Sequence, residues 1–508
     1  MTPHPPDRCY WMSQGLPEAP RAQLDGELEV DVAIIGGGFT GLWTAWFLKE
    51  SDPSLRIAVL EQGRIGFGAS GRNAGFAVPA LDHSLPALLE NHGADAARLA
   101  RGELVRSVHA LGQFAQAHGI ACEYEATGRL AIANGEGQLR RVEAEAEAAV
   151  RLGLKGFIPL DRAQIQGELH SARFAGALFE QDCALLQPAK LVRGLAGVVE
   201  KSGVHIFEQS RLEALHPGAK SQLVTRTGRV IAQSVVLSVN AWSNQQLLLR
   251  RQQLPMFTYI LLSRPLTLEQ RARIGWARRQ GAEDMDNYLH YFRLTPDGRL
   301  LWGGEARYFF GGSVDPAHAT HAGALRAIEH GFRRTFPSLA DLVFEHRWGG
   351  PFSLTVGFVP ALGQVPGTNV FYGFGCCGHG VAASHCSGQI LRDLVLGRKT
   401  DRTGLFFVGG PRGAVKFPGE PAAFLGIQAS RWALKRQDRR MSQGKAVDAR
   451  APWIIRQLKR LSPSAWHGRR QRTKRRGASG AHLPAPPEAD PDRGQDEPPP
   501  ERGGHRED

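Results

Sequence analysis

Residues 30–41 read VDVAIIGGGFTG, and this stretch decides the fold. Val30 to Ile35 is an unbroken run of strand formers, the pattern of a strand buried on both faces in a parallel sheet. Gly36, Gly38 and Gly41 follow in the spacing G-x-G-x-x-G, and Thr40 to Glu50 then reads as a helix. Gly36 permits the tight turn, Gly38 lets the backbone approach a pyrophosphate, and Gly41 lets the helix lie close against the strand. The helix N-terminus offers unpaired N–H groups and a partial positive charge to phosphates. Arg56 to Glu61 (RIAVLE) is the next strand, which completes one nucleotide-binding half of about thirty residues.

Glu61 lies twenty residues beyond Gly41, at the end of that second strand. A carboxylate there accepts hydrogen bonds from ribose hydroxyls. A glycine turn that bound nothing would not account for it. The unit implies an adenine dinucleotide without choosing between FAD and NAD.

The loop after the acid is Gly66-Phe67-Gly68-Ala69-Ser70-Gly71-Arg72-Asn73-Ala74-Gly75. Its small residues allow a close wrap around a pyrophosphate and a flat ring, with Ser70, Arg72 and Asn73 as donors. An ordinary glycine-rich surface loop has the same composition.

The chain has 508 residues and net charge +13. That length predicts more than one domain, because a single core seldom grows past about 250–300 residues. The charge is uneven. Residues 431–476 carry net +14 and residues 477–508 net −5, which leaves +4 for residues 1–430. The basic character describes a tail, so it supports no argument about a basic active site. The six cysteines (Cys9, Cys122, Cys183, Cys376, Cys377 and Cys386) form no Cys-x-x-Cys pair, which argues against zinc ligation, and no metal is expected. Met1 to Gln14 is polar with early prolines, unlike a secretory signal. The apolar stretch Val30 to Leu48 is broken by glycines, so it reads as strand, turn and helix rather than a membrane span. A cytoplasmic protein is expected.

Residues 1–28 read as an irregular lead-in. Residues 84–118 and 136–152 read as helical, as does Leu191 to Lys201. Val204 to Glu208 and Gly228 to Val239 read as strands returning to the first sheet. Residues 250–345 alternate like strands, with Tyr288 to Leu294 and Arg299 to Gly303 joined by the turn at 295–298. Val370 to Gly373 reads as a strand and Val381 to Leu396 as a helix. Past about residue 435 the pattern stops, and residues 477–508 read as disordered.

The loop G-x-G-A-S-G-R-N-x-G after the acid resembles the second FAD signature of the D-amino-acid oxidase superfamily, in particular its gamma-glutamylputrescine oxidase-like branch. Similar stretches follow in the family's order: residues 127–130 (TGRL), 187–191 (QPAKL), 239–243 (VNAWS), 300–304 (LLWGG), 348–351 (WGGP), 360–363 (PALG) and 373–381 (GFGCCGHGV). The resemblance covers roughly residues 10–430. Gly357 stands where the family often has an acid, and Cys376-Cys377 where a Tyr-Ser or similar pair is common.

This resemblance implies an α/β chain, α+β overall. It would hold a Rossmann-like FAD-binding domain of the glutathione-reductase type and an interleaved substrate domain on an antiparallel sheet. The FAD-binding segments would be 28–90, 186–245 and 346–430. The substrate domain would take most of 91–185 and all of 246–345, leaving 431–508 as a tail. FAD is expected, bound non-covalently, on Gly36, Gly38, Gly41, Glu61, Ala69, Ser70, Arg72, Asn73, Gly378, His379 and Gly380. In the 373–381 loop, the helix N-terminus near Gly380 would face the flavin pyrimidine edge and stabilise negative charge there, and His379 either adds charge or only packs in the turn.

The implied reaction is hydride transfer to flavin from the carbon beside nitrogen in a small amine or amino acid, followed by hydrolysis of the imine. Oxygen would be the acceptor; the alternative is a membrane-associated dehydrogenase that reduces quinone. Tyr259, Tyr291 and Arg293 are the substrate-binding candidates, with Arg293 suited to a substrate carboxylate; a solvated Arg293 and a core Tyr259 fit the sequence equally. No catalytic base is evident. For the basic tail, residues 453–461 (WIIRQLKRL) and Arg469 to Arg476 are compatible with a solvated extension or with peripheral contact to an anionic membrane. Nucleic acid is the weakest reading, because aromatics are scarce among the basic residues.

Overall fold

The strand Ile57–Leu60 is buried along its whole length, and Gly26–Ile35 is buried over its final four residues. Strands of this kind belong at the centre of a parallel sheet covered on both faces. The computed structural model, which describes residues 9–14, 19–81, 84–409 and 416–443, places them there. The first sheet runs in the order 361–364, 370–374, 228–237, 26–35, 57–60, 205–207. From 370–374 onward its neighbours are parallel, and 361–364 is antiparallel at the edge. The helix Phe39–Ser51 covers one face and is buried almost all round. The helix Gly380–Val395 crosses it so closely that a Cβ at Gly388 would stand 2.6 Å from the Cβ of Trp43.

The second sheet has eight strands in the order 344–354, 254–265, 299–308, 290–294, 281–284, 129–133, 176–180, 157–160. It is antiparallel except where 281–284 runs parallel to 129–133. Its core holds Phe292, Trp302, Phe332 and Phe336. The mixed α/β fold with a Rossmann-like FAD domain is thus observed. Among the described residues, no helix is long and apolar enough to cross a membrane.

Several elements depart from the sequence reading. The lead-in is anchored: Tyr10–Ser13 is a short helix, and Trp11 is buried against Trp348 at 6.2 Å between ring centroids. A single turn has too few residues to show a period. The helical stretch 84–118 is two helices, Leu85–His92 and Ala94–Ala117, split at Gly93 with φ +80°. The second of them packs into the first sheet's core. The strand Phe344–Leu354 belongs to the second sheet, so the chain returns to the first sheet only after Leu354, not at 346. Past residue 435 the helix Ala422–Ser442 continues. Its buried positions are Ala423, Ser430, Asp438 and Met441, which give almost no apolar period to detect. Residues 453–461, 469–476 and 477–508 lie outside the described residues.

Candidate active site

A cavity of about 440 Å³ lies between the glycine turn of the first sheet and the face of the second. Three glycines shape its inner wall. At Gly36, φ is +109° and a Cβ would come 2.7 Å from the carbonyl oxygen of Ser238. A Cβ at Gly38 would meet Ser70 Oγ at 2.9 Å, and one at Gly41 would meet the carbonyl oxygen of Gly36 at 2.1 Å. Gly36 and Gly38 line the cavity, while Gly41 sits behind them, where helix and turn touch.

Glu61 lines the same cavity and accepts from the N–H groups of Gly37 and Gly63, each at 2.8 Å. Burial pushes its carboxyl above the usual range, against those two hydrogen bonds. Ser70 Oγ accepts from Phe39 N–H at 2.9 Å, which caps the first turn of the helix. Asn73 faces the cavity but spends its amide within the loop: it donates to the carbonyls of Ala69 and Ser70 and accepts from Gly75 N–H. It staples the loop instead of offering a spare donor. Arg72 donates Nε to the Phe67 carbonyl and stacks over the Phe67 ring, and no carboxylate pairs with it among the described residues. Burial lowers its pKa.

Opposite this loop, Cys376, Cys377, Gly378, His379 and Gly380 line the cavity at the N-terminus of Gly380–Val395. Burial pushes His379 below its usual pKa, so the ring is neutral near pH 7 and adds no positive charge. Its Nδ1 is buried without a partner, as is Oδ1 of the cavity-lining Asn240.

The substrate candidates separate. Tyr291 lines the cavity, with its hydroxyl 3.0 Å from that of Thr258. Tyr259 does not. Met256, Thr258 and Ile260 face the cavity, so the residue between the last two points the opposite way along the pleat. Its ring is fully buried in the second core, and its hydroxyl donates to the His318 carbonyl. Arg293 is fully buried too and does not line the cavity. Its Nη1 donates to the carbonyls of Leu186, Ala74 and Gly75 at 2.8–3.4 Å, and burial pushes its pKa down to about 10. Other cavity residues escaped the sequence reading. Asn240, Trp242, Trp348, Gly349 and Gly350 sit in stretches noted only as family-like. Arg211, Glu283, Glu305 and Leu434 lay in no motif at all.

The residues present fit FAD. The cradle has no room for side chains at Gly36 and Gly38, Glu61 offers a ribose acceptor, and the cavity continues past Arg72 to a helix N-terminus with orphaned polar atoms beside it. This arrangement defines a dinucleotide-binding oxidoreductase of the Rossmann type. A family model described as FAD dependent oxidoreductase (DAO) matches residues 31–394. The chain belongs to that family and is an FAD-dependent enzyme. It is 31% identical over 399 residues to the gamma-glutamylputrescine oxidoreductase of Escherichia coli (strain K12), covering 78% of this chain and 90% of that one. Glycine oxidase from Geobacillus kaustophilus has a similar structure, with TM-score 0.65 and 20% identity over 77% of this chain and 100% of its own. L-proline dehydrogenase from P. horikoshii gives TM-score 0.63 and 17% identity over 77% and 97%. At these identities the two structures speak for the fold alone.

Proposed function

We propose that the enzyme oxidises a carbon–nitrogen bond in a small amine or amino acid, and that the imine product is then hydrolysed. The observation that carries this reading is the continuity of one cavity from the glycine cradle to Tyr291 and Trp348 of the second sheet. Gly36, Gly38, Glu61, Ala69, Ser70, Arg72 and the 378–380 turn would hold FAD, non-covalently. Bound there, FAD supplies an acceptor for the hydride that leaves the carbon beside nitrogen.

The chain's own residues prepare the substrate. Met256, Ile260, Trp348, Phe352 and Leu434 give the far wall an apolar lining that excludes water. Desolvation favours the uncharged amine, whose lone pair then assists loss of the hydride. Among the described residues, no carboxylate at that wall is free to act as a base. Glu283 is paired with Arg129, and Glu305 with Arg431 and Lys435. Tyr291 and Thr258 supply hydroxyls to orient the substrate. The N-terminus of Gly380–Val395 presents N–H groups and partial positive charge where negative charge develops. Burial pushes the Cys376 thiol up to about 11, so it is a poor nucleophile and supports non-covalent binding.

The test is product analysis with a panel of amines, N-methyl amino acids and D-amino acids. A carbonyl product formed in step with ammonia or a shorter amine supports the reading; turnover of a hydroxy acid alone overturns it. Oxygen uptake with peroxide release assigns an oxidase, and reduction of a soluble quinone in its place assigns a dehydrogenase.

A further inference from the structure

The helix Ala422–Ser442 lies beyond residues 31–394, the segment the family model matches, yet it forms part of the cavity wall. That wall is one helix thick. Ile427, Ser430 and Leu434 face the cavity, while Ala429 and Arg436 on the other side are exposed. Leu425 and Trp432, also on the outer side, are 62% and 65% exposed. Displacing the helix would therefore open the cavity to water.

The two halves of the helix are held by different forces. Phe424 and Ile427 pack on an apolar cluster of Leu254, Met256, Tyr308, Val356 and Phe417. Just before the helix, Glu420 accepts from the Tyr308 hydroxyl and the Gly311 N–H. From Gln428 onward the contacts are polar. Arg431 and Lys435 reach the Glu305 carboxylate from behind the cavity face, and their side chains are 23% and 30% exposed. Asp438 accepts from the N–H groups of Asn287 and Tyr288 at 2.9 and 3.1 Å. Met441 is the one fully buried apolar side chain of this half. Water repels an apolar seam back into place, but it readily replaces the partners in a polar one, so the second half is the one that can part. Two buried groups favour parting. Arg431 Nε has no acceptor, and burial raises the Asp438 carboxyl above its usual range; both would be rehydrated on opening.

We propose that residues 428–442 form a gate over the cavity, which swings on the apolar anchor at Phe424 and Ile427 and is latched by Glu305 and by the backbone amides of Asn287 and Tyr288. The latch residues sit on the second sheet and on the 285–289 loop, so closing the gate completes the cavity wall from that side. Because the Glu305 latch is ionic and partly exposed, salt weakens it. The gate serves whatever the cavity admits, so it does not rest on the amine-oxidation reading.

Thiol accessibility in the FAD-loaded full chain tests this without turnover. Ser430→Cys puts a thiol on the cavity side of the helix, and Ala429→Cys puts one on the solvent side of the same turn. A maleimide carried on a polymer far larger than the 440 Å³ cavity reaches the inner thiol only when the gate is open, and gel mobility counts the modified chains. Cys376 faces the same cavity, so rates are read against the unmodified chain. At low salt A429C is expected to react fast and S430C slowly. Raising NaCl from about 0.05 M to about 1 M should speed S430C by about fivefold or more and leave A429C unchanged. Adding Glu305→Gln to S430C should do the same at low salt; Lys435→Gln replaces it should that variant fail to fold, and Leu434→Cys is the second inner probe. The buried Cys122 and Cys183 should stay unmodified throughout, which separates gating from unfolding. An inner thiol that reacts as fast as the outer one at low salt overturns the proposal. So does an inner rate that neither salt nor the latch variants move, or one that rises only together with Cys122 and Cys183.

Discussion

The indole Nε1 of Trp348 donates to the backbone carbonyl of Arg72 at 2.9 Å, joining residues 276 positions apart in the chain. One belongs to the second sheet and the other to the loop that follows the first nucleotide-binding half. The cavity lies along this seam, so the 66–75 loop is held by the second sheet. Trp348→Phe keeps an aromatic ring, though a smaller one, and leaves a buried carbonyl unpaired, at a cost of about 1–3 kcal/mol for the carbonyl alone. A lower Tm and a lower FAD-to-protein ratio after gel filtration are expected.

The three glycines of the turn are not equivalent. A Cβ at Gly41 or Gly36 would strike backbone, at 2.1 and 2.7 Å, and Gly36 also has φ +109°. A Cβ at Gly38 meets only a serine hydroxyl. Gly41→Ala and Gly36→Ala are expected to yield no FAD-loaded protein. Gly38→Ala should fold and retain FAD more weakly. Soluble yield and bound FAD across the three variants check the order.

Arg293 ties the second sheet to the carbonyls of residues 74, 75 and 186, so Arg293→Ala should act on stability and FAD retention. The unpaired carbonyls cost about 1–3 kcal/mol each where no water reaches them. KM of the FAD-loaded fraction should stay at the unmodified value. A large rise in KM with an unchanged Tm would instead place Arg293 on the substrate.

Asp286 gives a pH signature. Burial first, then the charges of Asp284 and Asp438, push its carboxyl up to about 7, with His290 pulling the other way. The folded state holds this proton more tightly than the unfolded chain, so the contribution to stability is complete below the ordinary carboxyl range. It is lost as pH rises through about 7. Asp286→Asn keeps an acceptor for Gln138 and removes the titration. Its Tm should exceed that of the unmodified protein at pH 8, and the gap should close towards pH 5.

The nucleotide half was legible because each signal was local: a buried strand, a glycine spacing and an acid at a fixed distance. The cavity's far wall was not. Tyr259 and Tyr291 look alike in sequence, and only strand pairing decides that one faces the cavity while the other faces the core. Arg293 shares a strand with Tyr291, but lies where the 74–75 loop crosses. Glu305 gains its importance from Arg431 and Lys435, more than a hundred residues away, on a helix whose buried side is too polar to show a period. Contacts of that span come from topology, and no pattern within one segment reports them.

The proposed reaction requires that this chain hold FAD and that an amine give up a hydride to it. Anaerobic titration of the purified protein with a panel of amines and amino acids, followed in the visible spectrum, tests it most directly. Flavin bands are expected to bleach with at least one compound carrying an oxidisable C–N bond and to return when an acceptor is admitted. A colourless protein that FAD cannot reconstitute would rule out the proposed reaction, as would a yellow one that no amine bleaches.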